Sequence, residues 1–168
     1  AWIQDGWMAG GPGSGFDSKF FVYPESSYVH QIESIFSTFF LVYSNNIYQA
    51  NNNLDGFYAK QEEDGAIRAC YDRQTGQAVL AADNPEGISL PLFAWAEFNL
   101  YHKLANKKRI KEVLPVLQKQ LFWIDGLCKK ENGLYAAPLA ATGMPNSPRE
   151  KAVYHIDFNT AMAINALY

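Results

Sequence analysis

Ile110-Lys111-Glu112-Val113-Leu114-Pro115-Val116-Leu117-Gln118-Lys119-Gln120-Leu121-Phe122-Trp123-Ile124-Asp125-Gly126-Leu127-Cys128 is the stretch on which the fold turns. Its apolar residues Ile110, Val113, Leu114, Leu117, Leu121, Ile124 and Cys128 recur at three and four. That spacing lines one face of an α-helix. The pattern lasts about five turns, with the basic run Lys107 to Lys111 as its solvated first turn. Pro115 falls inside it, removes one ladder bond, and is expected to bend the helix near Ile110 and Lys111.

The same period appears upstream. Phe93, Ala96, Leu100 and Leu104 share a face, with Ser89 expected as cap and Pro91 in the first turn. Val29, Ile32, Ile35, Phe36, Phe39 and Phe40 predict a helix capped by Ser26 or Ser27 and ending near Ser44. Ile47, Leu54, Phe57 and Tyr58 suggest another, interrupted by Asn51-Asn52-Asn53. Between Gln61 and Leu80 the turn pairs Asp64-Gly65 and Thr75-Gly76 flank an alternating run, which predicts a β-hairpin excursion. Residues 1–25 show no sustained period and read as loop. Their run Gly10-Gly11-Pro12-Gly13-Ser14-Gly15 lacks the strand and the Lys-Ser/Thr pair of a phosphate loop and reads as a flexible rim. Downstream, Leu134–Leu139 is extended, residues 140–156 are irregular, and a last helix starts near Asp157 or Asn159. The expected fold is mainly α, with antiparallel helical hairpins and a small β-hairpin.

Composition narrows the function. The chain of 168 residues is 48% hydrophobic and 18% charged, the balance of a folded domain. With a net charge of −3 and its 14 basic residues scattered, it has no footprint for nucleic acid, which needs clustered Lys and Arg. The apolar stretch Ile35 to Tyr43 is far short of a membrane span. Cys70 and Cys128 make no ligand or disulfide framework, and His30, His102 and His155 have no metal spacing. No targeting pattern is present, so the compartment is not legible. Aromatic residues reach 15%, and many lie beside Asn, Gln, Asp and Gly. Aromatic faces with amides and carboxylates suit a saccharide, although core packing uses aromatics as well.

Three groups of motifs carry a resemblance. Phe16-Asp17-Ser18-Lys19-Phe20-Phe21 is similar to the Trp-Asp-Ser/Thr-X-Phe signature of glycoside hydrolase family 63 and its relatives, with Phe in place of Trp. Asn84-Pro85-Glu86-Gly87 followed by Pro91-Leu92-Phe93-Ala94-Trp95-Ala96 resembles that group's Asn-Pro-X-Gly and Pro-Pro-X-X-Ala-Trp segment. Asn132-Gly133-Leu134-Tyr135, Thr142-Gly143-Met144-Pro145-Asn146-Ser147-Pro148-Arg149 and Ile156-Asp157-Phe158-Asn159 resemble its catalytic-acid loop and the start of its next helix. Mannosylglycerate hydrolases and family 63 glucosidases look nearer than trehalases.

The resemblance implies part of an (α/α)6 toroid, residues 1–168 being a partial catalytic domain truncated at its C-terminal and N-terminal ends. It implies inverting hydrolysis of a small α-linked saccharide or glycoside, with neither metal nor other cofactor. The remainder of the barrel, or another chain, would cover the exposed helix faces. Inversion needs two carboxyl groups roughly 6.5–9.5 Å apart, one to protonate the leaving oxygen and one to activate water. Pro145 stands at the family's acid position, four residues before Arg149, and proline has no proton to give. Either Asp157 or Glu150 supplies the acid, with Asp17 a further candidate, or the protein is a sugar-binding or scaffold relative without catalysis. The base would lie outside this chain.

The expected substrate contacts are Asp17, Gln61, Asn84, Trp95, Asn146, Arg149 and Asn159. Carboxylate, amide and guanidinium groups suit hydroxyls, and an indole suits a sugar face. Bland roles compete: Asp157 as a helix cap, Trp95 as core, the amides as turn formers. Asp17, Asn146, Arg149 and Asp157 are expected to converge on one rim, because long loops concentrate there.

Overall fold

The computed structural model describes residues 1–144, 146–149 and 151–168. The chain is mainly helical. In order come α1 (Trp2–Gly6), β1 (Trp7–Met8), β2 (Phe20–Phe21), β3 (Tyr28–His30), α2 (Gln31–Leu41), α3 (Asn52–Tyr58), β4 (Cys70–Asp72), α4 (Phe93–Leu104), α5 (Lys107–Cys128) and α6 (Ile156–Leu167). Short 3-10 turns follow α2 at Val42–Ser44 and precede α6 at Leu139–Ala141. Both strand pairs are antiparallel: β1 with β2, and β3 with β4 in the register Tyr28 to Asp72, Val29 to Tyr71 and His30 to Cys70.

Helix α5 runs 22 residues with Pro115 inside it. Asn106 caps it, its side chain accepting from the Arg109 amide at 3.1 Å, and Val113, Ile124 and Cys128 are buried. Helix α4 is the hub, packing on α2, α5 and α6. Its C-terminus turns at Ala105, with φ of 52°. The core gathers Phe57, Phe93, Phe158, Ile35, Leu41 and Ile124, all nearly inaccessible.

Several expectations shift. Neither Ser26 nor Ser27 caps α2. The Ser26 hydroxyl instead brackets Tyr28, accepting from its amide at 3.1 Å and donating to its carbonyl at 2.8 Å, and strand β3 intervenes before α2 starts at Gln31. Helix α4 starts at Phe93, so Ser89 and Pro91 precede it. Helix α6 starts one residue before Asp157.

The hairpin excursion is narrower than residues 61–80. It closes where the Val79 amide donates to the Cys70 carbonyl at 2.9 Å and Asp72 receives Gln74, Thr75 and the Thr75 hydroxyl. The other edge of β4 is taken by β3, about 40 residues earlier.

The glycine run is bonded at several points to the turn after β4. Gly11 donates to the Arg73 carbonyl at 3.0 Å, and the Lys60 ammonium donates to the carbonyls of Ser14 and Gly76, the latter at 3.2 Å. That ammonium lies 5.1 Å from the Phe16 ring centre and 5.9 Å from that of Tyr71. Burial lowers the Lys60 pKa, and the charge of Asp17 partly opposes this.

Candidate functional site

The segment 129–159 builds the first candidate site. The Ala136 amide donates to the Cys128 carbonyl at 2.8 Å and the Ala137 amide to the Val153 carbonyl at 3.1 Å, so α5, the extended piece and the lead into α6 form one ladder. Asn159 holds it from inside α6. Its carboxamide accepts from the Tyr135 amide at 2.9 Å and donates to the carbonyls of Tyr135 and His155 at 2.9 and 3.0 Å. Beside the ladder lies a cleft of about 630 Å³ lined by Asp83, Ala136, Ala137, Pro138, Leu139, Ala152 and Val153. In sequence, Asp83 adjoins Asn84, Ala136 follows Tyr135, and Val153 lies three residues before Ile156.

Asp157 closes the loop that leads to α6. One oxygen accepts from the Gly143 amide at 3.1 Å and the other from the Phe158 amide at 3.0 Å. This makes it a tether between loop and helix start, an acceptor on both oxygens. Glu150, like Pro145, lies outside the described residues. Arg149 binds the Ser147 hydroxyl through Nε at 2.8 Å, while its Nη2 is buried without a partner among the described residues. His155 is 1% exposed, and neither ring nitrogen has a partner there. Buried polar groups are nearly always hydrogen-bonded, so this short segment holds two side chains with unused capacity.

The first motif lies at a second depression. About 210 Å³ in volume, it is bordered by Phe16, Asp17, Ser18, Phe20, Asn52 and Asp55. Asp17 is exposed there. This depression shares no lining residue with the cleft of about 630 Å³, and Arg149, Asn146 and Asp157 line neither. Asn146 is exposed.

Four expected contacts are committed internally. Gln61 donates to the carbonyls of Gly65 and Val116 at 3.2 and 2.8 Å, fastening the loop after α3 to α5. The carboxamide of Asn84, 5% exposed, brackets Ile88 with bonds of 2.7 and 3.0 Å. Asn159 is spent on the ladder. Trp95 packs against Phe36 and Phe39, with ring centres 6.0 and 4.6 Å away. In each case satisfying a backbone group or filling the core takes the side chain that the sequence alone left open for a sugar.

Sequence reasoning passed over Asp83, Ser18, Asn52 and Asp55, which no periodicity distinguishes from ordinary surface residues. It also passed over Glu97, 2% exposed. Arg109 grips Glu97 with two bonds of 2.7 and 2.8 Å, Tyr58 donates to it at 2.9 Å, and Arg109 reaches Asp55 at 2.9 Å. Burial and the negative charges of Glu97 and Asp55 raise the Tyr58 pKa well above its usual value, against the pull of Arg109. Among the described residues no three His, Cys, Asp or Glu side chains gather as a metal site. No helix among them is long and apolar enough to cross a membrane.

The chain is similar to an uncharacterized protein of Borreliella burgdorferi, with 51% identity over 140 residues, which is 83% of this chain and 29% of that relative. The relative is therefore about 480 residues long, 140 divided by 0.29, and this chain spans under a third of it. No family model matches the chain. No solved structure matches it at a significant level.

Proposed function

We propose that the chain is part of an inverting glycoside hydrolase of the six-hairpin (α/α)6 kind, acting on a small α-linked saccharide or glycoside. The observation that carries this reading is the cleft of about 630 Å³ walled in part by Ala152 and Val153, close in sequence to Arg149 and His155, whose Nη2 and ring nitrogens are buried without partners among the described residues. A polyhydroxylated ligand has the chemistry that guanidinium and imidazole groups take, since each sugar hydroxyl both donates and accepts. Hydrolysis further requires an acid, and Asp83 is the carboxyl-bearing residue among those that border the cleft. A helical hub with α4 packed on three other helices suits one arc of a helical toroid.

A second reading has its own support: with Pro145 at the acid position of the resembled family, the protein binds saccharide without cleaving it. The test uses the full-length protein, a set of α-linked disaccharides and glycosides, product anomers followed by nuclear magnetic resonance, and binding by calorimetry. The first reading expects turnover with inversion, lost in Asp83→Asn or Glu150→Gln and retained in Asp157→Asn if the tether alone is weakened. Saturable binding without turnover, weakened in Arg149→Ala, selects the second. Neither turnover nor binding across the set rejects both.

A further inference from the structure

Asn132 alone among the asparagines of the chain is followed by a glycine. The pair forms the exposed tip of the turn that follows α5. Lys129 and Tyr135 pair as an antiparallel bridge, the Lys130 amide donates to the Leu134 carbonyl at 2.9 Å, and the Gly133 amide donates to the Lys130 carbonyl at 2.8 Å. Gly133 has φ of 79°, and a Cβ built on it would meet nothing within 4 Å. The Asn132 Oδ1 accepts from the Leu134 amide at 3.1 Å.

We propose that Asn132 is a site of spontaneous covalent modification, deamidating through a cyclic imide formed with Gly133 and thereby loosening the turn. The Gly133 nitrogen, its proton lost to solvent base, forms a bond to Asn132 Cγ. The Cγ–Nδ2 bond breaks, and Nδ2 takes up a proton and leaves as ammonia. Water then opens the five-membered ring at either carbonyl, giving aspartate or an isoaspartyl link whose main chain runs through Cγ. Three features favour this position. Glycine brings no side chain to shield its nitrogen, the attack is intramolecular, and the Leu134 N–H lies against the oxygen on which negative charge grows. The bond to Lys130 holds the nucleophile in the closed turn, so the reaction runs through openings of an exposed tip, which cost little. An isoaspartyl link adds one backbone atom between Asn132 and Gly133, and the bond from Lys130 to Leu134 loses its register. Tyr135 follows directly, bracketed by Asn159 and donating to Asp125 at 2.6 Å, so the strain passes into the strand that borders the cleft. The inference is independent of the hydrolase reading.

The test ages the full-length protein at physiological temperature in mildly alkaline buffer. Fragment-ion mass spectrometry resolves Asn132 from Asn146, which is also exposed but is followed by Ser147. Asn132 should gain about one mass unit at least about tenfold faster than Asn146, because the glycine nitrogen is the less hindered nucleophile. An isoaspartyl methyltransferase should label the aged protein at that residue. Limited proteolysis should cut residues 129–137 faster in the aged protein than in equally aged Asn132→Gln, which keeps the amide and lengthens the ring that would have to close. No gain at Asn132 over a period that converts a synthetic peptide of residues 129–138 would overturn the proposal by showing that the closed turn protects it. A gain no faster than at Asn146 would overturn it by showing that exposure alone sets the rate. Conversion at Asn132 with unchanged proteolysis would overturn the loosening.

Discussion

Glu97 shows what one residue does when its charge is taken out of water. Its carboxylate receives Arg109 twice and Tyr58 once, and Arg109 also holds Asp55, so α3, α4 and α5 meet through one ionic knot. Removing one partner from such a pair leaves the other charge buried, which costs about 3–5 kcal/mol. Removing the hydroxyl of Tyr58, which donates to a charged carboxylate, costs about 1.5–3 kcal/mol. Glu97→Gln is therefore expected to lower the urea midpoint further than Tyr58→Phe, with Asp55 retaining part of the Arg109 charge. Equal midpoints would mean that Arg109 relaxes toward solvent.

Cys70 gives the pH prediction. Its thiol sits 4.0 Å from the His30 ring nitrogen and is pushed up to about 11 by burial first and by the charges of Glu33 and Asp72 next. A pKa raised on folding favours the protonated native form. The contribution is whole below the ordinary thiol value of 9.0 and fades as pH rises toward 11. Native alkylation by iodoacetamide should stay slow at pH 8 and climb only toward pH 11. The urea midpoint should fall across the same window, by less in Cys70→Ala.

At the scale of elements, the turn after β4 is held from both sides. Gly76 has φ of 70°, and a Cβ there would lie 1.9 Å from the Ser14 carbonyl oxygen. Gly76→Ala thus meets backbone strain and a collision together. It should destabilise the protein by about 2 kcal/mol or more and make the 10–15 loop cleavable by protease, because the Lys60 clamp spans both pieces. Unchanged thermal unfolding with unchanged cleavage would show that the two segments part without loss.

The helices were legible for the reason they are stable. Val113, Ile124 and Cys128 face the core at the intervals the sequence displays, and so do Phe93, Ala96 and Leu100. Strands β1 to β3 were hidden because two or three residues carry no period. The partner of β3 lies about 40 residues away, so no local pattern could announce it. Ser26 illustrates a different miss, since a serine before an apolar run fits a strand turn as well as a helix cap.

For the whole molecule the same distinction separates scaffold from candidate site. Gln61, Asn84 and Asn159 have the right chemistry for a ligand, and only their bonds to Val116, Ile88 and Tyr135 reveal that the fold consumes them. Conversely, that Arg149 and His155 have buried atoms without partners among the described residues becomes visible only when burial is known. Of the expected contacts, Arg149 has a buried Nη2 without a partner among the described residues, and Asp17 lines the depression of about 210 Å³.

The pairing of β3 with β4 also sets a clock for biosynthesis. Val29, 1% exposed in the finished protein, has Tyr71 as its cross-strand neighbour. At 5–20 residues per second, the roughly 40 intervening residues take about 2–8 s to emerge from the ribosome. Throughout that interval the nascent strand has no edge to join, and its valine must be sheltered by the newly made α2 or by a chaperone.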